Sequence, residues 1–134
     1  MENIVDNAYF YGNPLSSKIS SILDYTGSQL GYKANSGTYA YHANGNTTYD
    51  PANKLATLYN YLNLPSKFTK DNGSKQELVY DFSGKKWQMK EFNNSSSLSS
   101  THSYIGSFEF EGNSLKLVHH GRRFIKNLKS AATN

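Results

Sequence analysis

The residues able to do chemistry are few, and their spacing argues against most of it. His119 and His120 are adjacent, so on a strand they point to opposite faces and cannot chelate one ion together. His42 and His102 can join them only through the fold, and turn or rim positions are the expected place for all four. Glu109 and Glu111 are two apart on strand-like sequence and share a face, with Phe108 and Phe110 on the other. Paired carboxylates cleave glycosidic bonds across a gap of about 5 to 9 Å, whereas neighbours on one strand usually form a solvated face. Serine, histidine and aspartate all occur, but without a Gly-x-Ser-x-Gly elbow, and no phosphate-cradling glycine loop is present. With 0 cysteines there is no thiol nucleophile, thiolate metal site or disulfide. The expectation is a chain with no catalytic, metal-binding or cofactor-binding residues: not an enzyme, and without a cofactor.

Binding is the chemistry that remains, and aromatic rings would carry it. The chain has 11 Tyr, 7 Phe and 1 Trp. If Tyr9, Tyr11, Tyr39, Tyr41, Tyr59, Tyr61 and Trp87 alternate along neighbouring strands, some share a face. A ring face can stack on a sugar while Asn, Gln and Ser supply hydrogen bonds at the rim. The candidate ligand-binding aromatics are Tyr39, Tyr41, Tyr59, Tyr61 and Trp87. The competing reading is an aromatic ladder that holds a sheet together by cross-strand packing.

The elements that would position these rings are strands. Only 18% of residues are charged, and the abundance of Tyr, Phe, Thr, Gly, Asn and Ser favours pleated strands and turns over helices. Turn signals recur at Gly12-Asn13-Pro14, Thr26-Gly27, Asn44-Gly45, Asn72-Gly73, Ser83-Gly84 and Gly112-Asn113. Between them, alternating segments predict strands at 8–11, 38–41, 55–61, 77–80, 86–90, 107–110 and 115–118. Tyr49 to Asn53 is expected to be a connection broken by Pro51, and the serine-rich stretch 93–100 a mobile loop. From Gly121 a short helix is expected, with Phe124, Ile125 and Leu128 on one face. A folded chain of this mass keeps roughly 7,000 Å² of surface, which leaves room for one modest core. The reading is one all-β domain over 1–134, repeats at about 8–120 and a tail at 121–134. Its consecutive antiparallel hairpins would form one strongly twisted or curled sheet.

Self-similarity sharpens this picture. Tyr25, Tyr41, Tyr61, Tyr80 and Tyr104 are separated by 16, 20, 19 and 24 residues. A period near 20 suits two strands and two turns. The best-preserved pair is Tyr41-His42-Ala43-Asn44-Gly45-Asn46 and Tyr80-Asp81-Phe82-Ser83-Gly84-Lys85. An aromatic ends the strand, an Asp or Asn braces the turn, and Gly takes the left-handed position. The repeat-motif residues are therefore Tyr41, Asn44, Gly45, Asn46, Tyr80, Asp81 and Gly84.

Tyr-Asp-x-x-Gly-Asn at such intervals resembles the YD repeat of the RHS (rearrangement hot spot) proteins. Thr38 to Thr48 looks like a repeat core, Leu58 to Phe68 is similar to the segment that follows it in RHS proteins of the Bacteroidetes type, Tyr80 to Lys86 resembles the next repeat, and Tyr104 to Leu115 looks like the end of an array. His42 departs from the usual Asp, and the turn after Tyr59-Asn60 lacks its Gly. Long RHS chains coil into a hollow β-shell. This chain, with about five repeats, is too short to enclose anything and carries no self-cleavage motif after Gly121.

The resemblance implies a non-catalytic scaffold or shell element of a secreted or cell-surface bacterial protein. The alternative is a carbohydrate-binding module using exposed Tyr and Trp. Expected partners are the rest of a longer repeat protein or a second copy, and glycans under the alternative. The net charge of +4 is spread widely enough to suggest solubility and edge protection, so no nucleic acid is expected. No run approaches the roughly 20 apolar residues of a membrane span. The first residues lack the basic start and apolar stretch of a signal peptide, so an exported parent would carry its signal elsewhere.

Overall fold

A computed structural model of the chain describes residues 7–25, 37–120 and 123–126. Twelve strands and no helix occur among the described residues, so the protein is all-β. They are β1 Asn7–Tyr11, β2 Ile19–Asp24, β3 Ala40–Tyr41, β4 Thr47–Asp50, β5 Leu55–Tyr59, β6 Pro65–Lys70, β7 Lys75–Tyr80, β8 Lys86–Phe92, β9 Leu98–Ile105, β10 Phe108–Glu111, β11 Ser114–His120 and β12 Arg123–Lys126. β1 and β2 pair as a two-stranded sheet, and β3 to β12 are hydrogen-bonded in chain order, every neighbour the next hairpin arm. The expected single sheet is therefore two sheets.

The strands fall into two compact units. One takes the residues up to Leu58 together with Phe68–Asn72, and the other takes Tyr59–Lys67 and the residues from Gly73 onward. β6 is divided between them. In the first unit Tyr39 donates its N–H to Ser20 O at 2.8 Å and Tyr41 its hydroxyl to Ile19 O at 2.8 Å, so β2 is stitched to the short strand β3. In the second unit the Tyr80 hydroxyl donates to Pro65 O at 2.9 Å.

Among the described residues the modest core expected from chain mass does not form. Among the described residues only Ile22, Pro51 and Thr57 are buried, and most strand residues are half-buried. Side chains on opposite faces of a strand are shielded to a similar degree, as in β6 and β7, where nearly every residue is half-buried.

Local chemistry explains the hairpins. Four five-residue turns, 42–46, 60–64, 81–85 and 93–97, share one pattern of backbone bonds. The first residue's N–H donates to the fifth residue's carbonyl, and the fourth residue's N–H donates back to the first carbonyl. The fourth residue has positive φ in each: Gly45 at 96°, Asn63 at 58°, Gly84 at 83° and Ser96 at 62°. In three turns the side chain of the first residue, Asn60, Asp81 or Asn93, accepts two further backbone N–H groups with its Oδ1. At His42 the bracing is taken over by Asn44, whose Oδ1 accepts the Asn46 N–H at 3.3 Å.

The outgoing strand of five hairpins also carries one extra residue, a bulge at Ser20, Thr48, Trp87, Ser99 and Lys116. At two of these the serine hydroxyl donates across the gap, Ser20 to Phe10 O at 2.9 Å and Ser99 to Glu91 O at 3.0 Å. A bulge bends the strand and re-aims a side chain.

Three sequence-based expectations need correction. Residues 93–100 are no mobile loop: Asn93 ties a tight turn and β9 begins at Leu98. The connection starts at Pro51, since Tyr49 and Asp50 pair with Ala56 and Leu55. Arg123–Lys126 is a strand paired with Leu117–His120, not a helix, because pairing satisfies the outer edge of β11 as a helix could not. Leu128 and the Thr26-Gly27 turn lie outside the described residues.

Candidate functional site

The chemistry-bearing side chains gather in the second unit, on strands β7 to β11. Cross-strand register places them. Gln76 lies opposite Glu91, Glu91 opposite Ser100, Met89 opposite His102, His102 opposite Glu111, and Tyr104 opposite Glu109. Residues opposite one another share a face, so a polar stripe runs across several strands.

Its members are bonded in sequence. Gln76 Nε2 donates to Glu91 Oε1 at 2.7 Å, and the Ser100 hydroxyl donates to Glu91 Oε2 at 2.7 Å. These two donors, the serine first, hold the Glu91 carboxyl below the usual carboxylate range. Ser100 Oγ lies 3.4 Å from His102 Nε2, and His102 Nδ1 lies 3.8 Å from Glu109 Oε1. The other oxygen of Glu109 faces His119 Nε2 at 3.6 Å, and Lys116 Nζ meets Glu111 at 2.6 Å.

Serine, histidine and glutamate in this order invite comparison with a nucleophilic triad. Hydrogen bonding decides against it. The Ser100 proton goes to the charged Glu91 carboxylate at 2.7 Å and not to the imidazole at 3.4 Å. Glu109 is shared between two histidines, so it orients neither one alone. No group of three or more His, Asp or Glu among the described residues is placed to hold a metal ion.

Two clefts adjoin the stripe. One of about 700 Å³ is lined by Leu98 to Thr101 and by Glu111, Gly112 and Ser114 to Lys116. The other, about 260 Å³, is lined by Asp81, Lys85, Lys86, Trp87, Tyr104, Ile105 and Gly106. Trp87 stands 58% exposed at its bulge, and Lys86 Nζ sits 4.3 Å from the centroid of the Tyr104 ring. The Asp81 carboxyl is held below its ordinary value, first by the Ser83 hydroxyl and then by the Lys85 N–H.

The aromatic candidates are dispersed. Tyr39 and Tyr41 belong to the first unit, half-buried, and Tyr41 is engaged by its hydroxyl bond and by Lys18, whose Nζ is 5.6 Å from its ring. In the second unit Tyr59 is half-buried at the end of β5, while Tyr61 lies in the 60–64 turn, 83% exposed. Tyr59, not Tyr61, occupies the place before the turn that Tyr41 and Tyr80 hold. Of the repeat-motif residues, Asn44 and Asp81 are turn braces and Gly45 and Gly84 hold positive φ. Tyr104, His102 and Glu109 were not singled out as binding residues from sequence. The one available signal was the i, i+2 spacing of Ser100, His102 and Tyr104 on a single strand.

No protein-family model matches this chain, and no curated protein or solved structure matches it either.

Proposed function

We propose that this chain is a non-catalytic structural segment of a β-hairpin repeat protein, a scaffold element of the RHS/YD-repeat type that works at the cell surface or outside the cell. The observation that carries this reading is the recurrence of one hairpin design, a five-residue turn with a left-handed fourth residue and a bulge in the outgoing strand, in sheets with three buried residues among those described. In repeat arrays each unit contacts only its neighbours and draws part of its stability from them. A tandem fusion of two copies tests this. The fused chain is expected to unfold at a higher denaturant midpoint than the single chain; two copies that unfold independently at the same midpoint would refute the repeat reading.

A second reading, a glycan-binding module, is favoured by one observation: Trp87 stands largely exposed beside Tyr104 and the polar stripe. A large ring that keeps more than half of its surface in water contributes less to packing than a buried one, and it offers a flat apolar surface.

A further inference from the structure

We infer that the Trp87 cleft and the neighbouring polar stripe of the second unit bind a neutral hexose oligomer, an inference that rests on the glycan-binding reading. The platform comes first. The bulge at Trp87 falls where β8 pairs with β7, and it leaves the indole 58% exposed at the wall of the 260 Å³ cleft. Tyr104 lines the same cleft, and the Lys86 ammonium over its ring leaves the indole as the flat surface for a sugar's C–H face.

Hydroxyl partners follow along the same sheet. Glu109 lies directly opposite Tyr104, with its two carboxylate oxygens facing two imidazoles at 3.8 and 3.6 Å. Those distances are longer than hydrogen bonds, so both oxygens retain capacity to accept from vicinal hydroxyls. Beyond them lie His102, able to donate or accept, and Ser100, whose proton is held by Glu91 and whose oxygen can still accept.

Charge selects against an acidic sugar. With the Lys116–Glu111 pair set aside as neutral, Asp81, Glu91 and Glu109 outnumber Lys85 and Lys86 over the cleft and stripe together. A uronate or sulfate laid along this surface meets fixed carboxylates, whereas an uncharged hexose meets acceptors.

The test is calorimetric titration of the full chain with cellohexaose, mannohexaose and laminarihexaose, with polygalacturonate as the acidic probe. At least one neutral hexamer is expected to bind saturably. Trp87→Ala is expected to weaken that binding at least about tenfold, Trp87→Phe to stay within about threefold, and Leu15→Ala, at an exposed position of the first unit, to leave it unchanged. Glu109→Gln, which turns one acceptor into a donor, is expected to weaken it about fivefold. Far-UV circular dichroism of each variant matching the parent excludes misfolding as the cause. Binding of polygalacturonate alone would overturn the neutral class and leave the glycan reading standing. Neutral binding indifferent to Trp87→Ala would overturn the location, and silence from all four probes would overturn both.

Discussion

At the scale of single residues, the molecule depends on a small set of turn positions whose chemistry is interchangeable only within limits. Ser96 holds the fourth position of its turn at φ 62°, where the Cβ of an L-residue crowds its own carbonyl. Ser96→Gly removes that strain and is expected to raise stability by about 1 kcal/mol, read as a higher urea midpoint at unchanged slope. Gly84 presents the reverse case, because a Cβ there would come 3.2 Å from Leu64 Cδ1 at φ 83°. Gly84→Ala is expected to cost about 1 to 2 kcal/mol, and a neutral result would mean the turn adopts another form. Carboxylates add a pH dependence. Asp81 and Glu91 both have folded-state values below their ordinary ones, so each adds stability that is present above about pH 4 and lost as pH falls through its folded value. The urea midpoint should therefore decline from pH 5 towards pH 2. Paired substitution by Asp81→Asn and Glu91→Gln should flatten that decline; an unchanged acid limb would place the titrating groups elsewhere.

At the scale of elements, hairpin register is held by turns and bulges together. The extra residue at Ser20, Thr48, Trp87, Ser99 and Lys116 recurs on the outgoing strand, which sets the local twist and fixes which side chains face which. β12 plays a different part. By pairing Arg123–Lys126 with Leu117–His120 it occupies the backbone edge of β11. Removing residues 121–134 exposes that edge, and the shortened chain is expected to self-associate more strongly than the full chain in sedimentation. Equal sedimentation of the two would show that β11 protects its own edge.

At the scale of the whole molecule, cohesion among the described residues comes from neighbour-to-neighbour hydrogen bonding and half-buried side chains, with few residues fully buried. Ile22, Pro51 and Thr57 are too few to hold a chain of this length by burial alone. Stability in such a design accumulates by adding neighbours, and the tandem fusion measures that directly. The same half-burial leaves aromatic side chains such as Tyr61 and Trp87 facing water.

Much of the architecture was legible in the residues. Strand positions such as 8–11 and 86–90 followed from alternation, and the turns at Asn44-Gly45, Asn72-Gly73 and Ser83-Gly84 from the one residue type that adopts positive φ without strain. Strands β2, β4, β6 and β9 were harder to see, because serine and threonine supply neither an apolar alternation nor a helix-like period. The serine-rich 93–100 read as low complexity until Asn93 was seen to do the work of Asp81. Local pattern thus settled the all-β class and the hairpin order, since both depend on backbone preferences within a few residues. Which side chains meet was left to register. The bulges offset five of the outgoing strands by one residue, and pairing brought Ser100, His102, Glu109 and His119 within reach of one another from three different strands. A one-residue slip reverses every face, and only the completed sheet fixes that count.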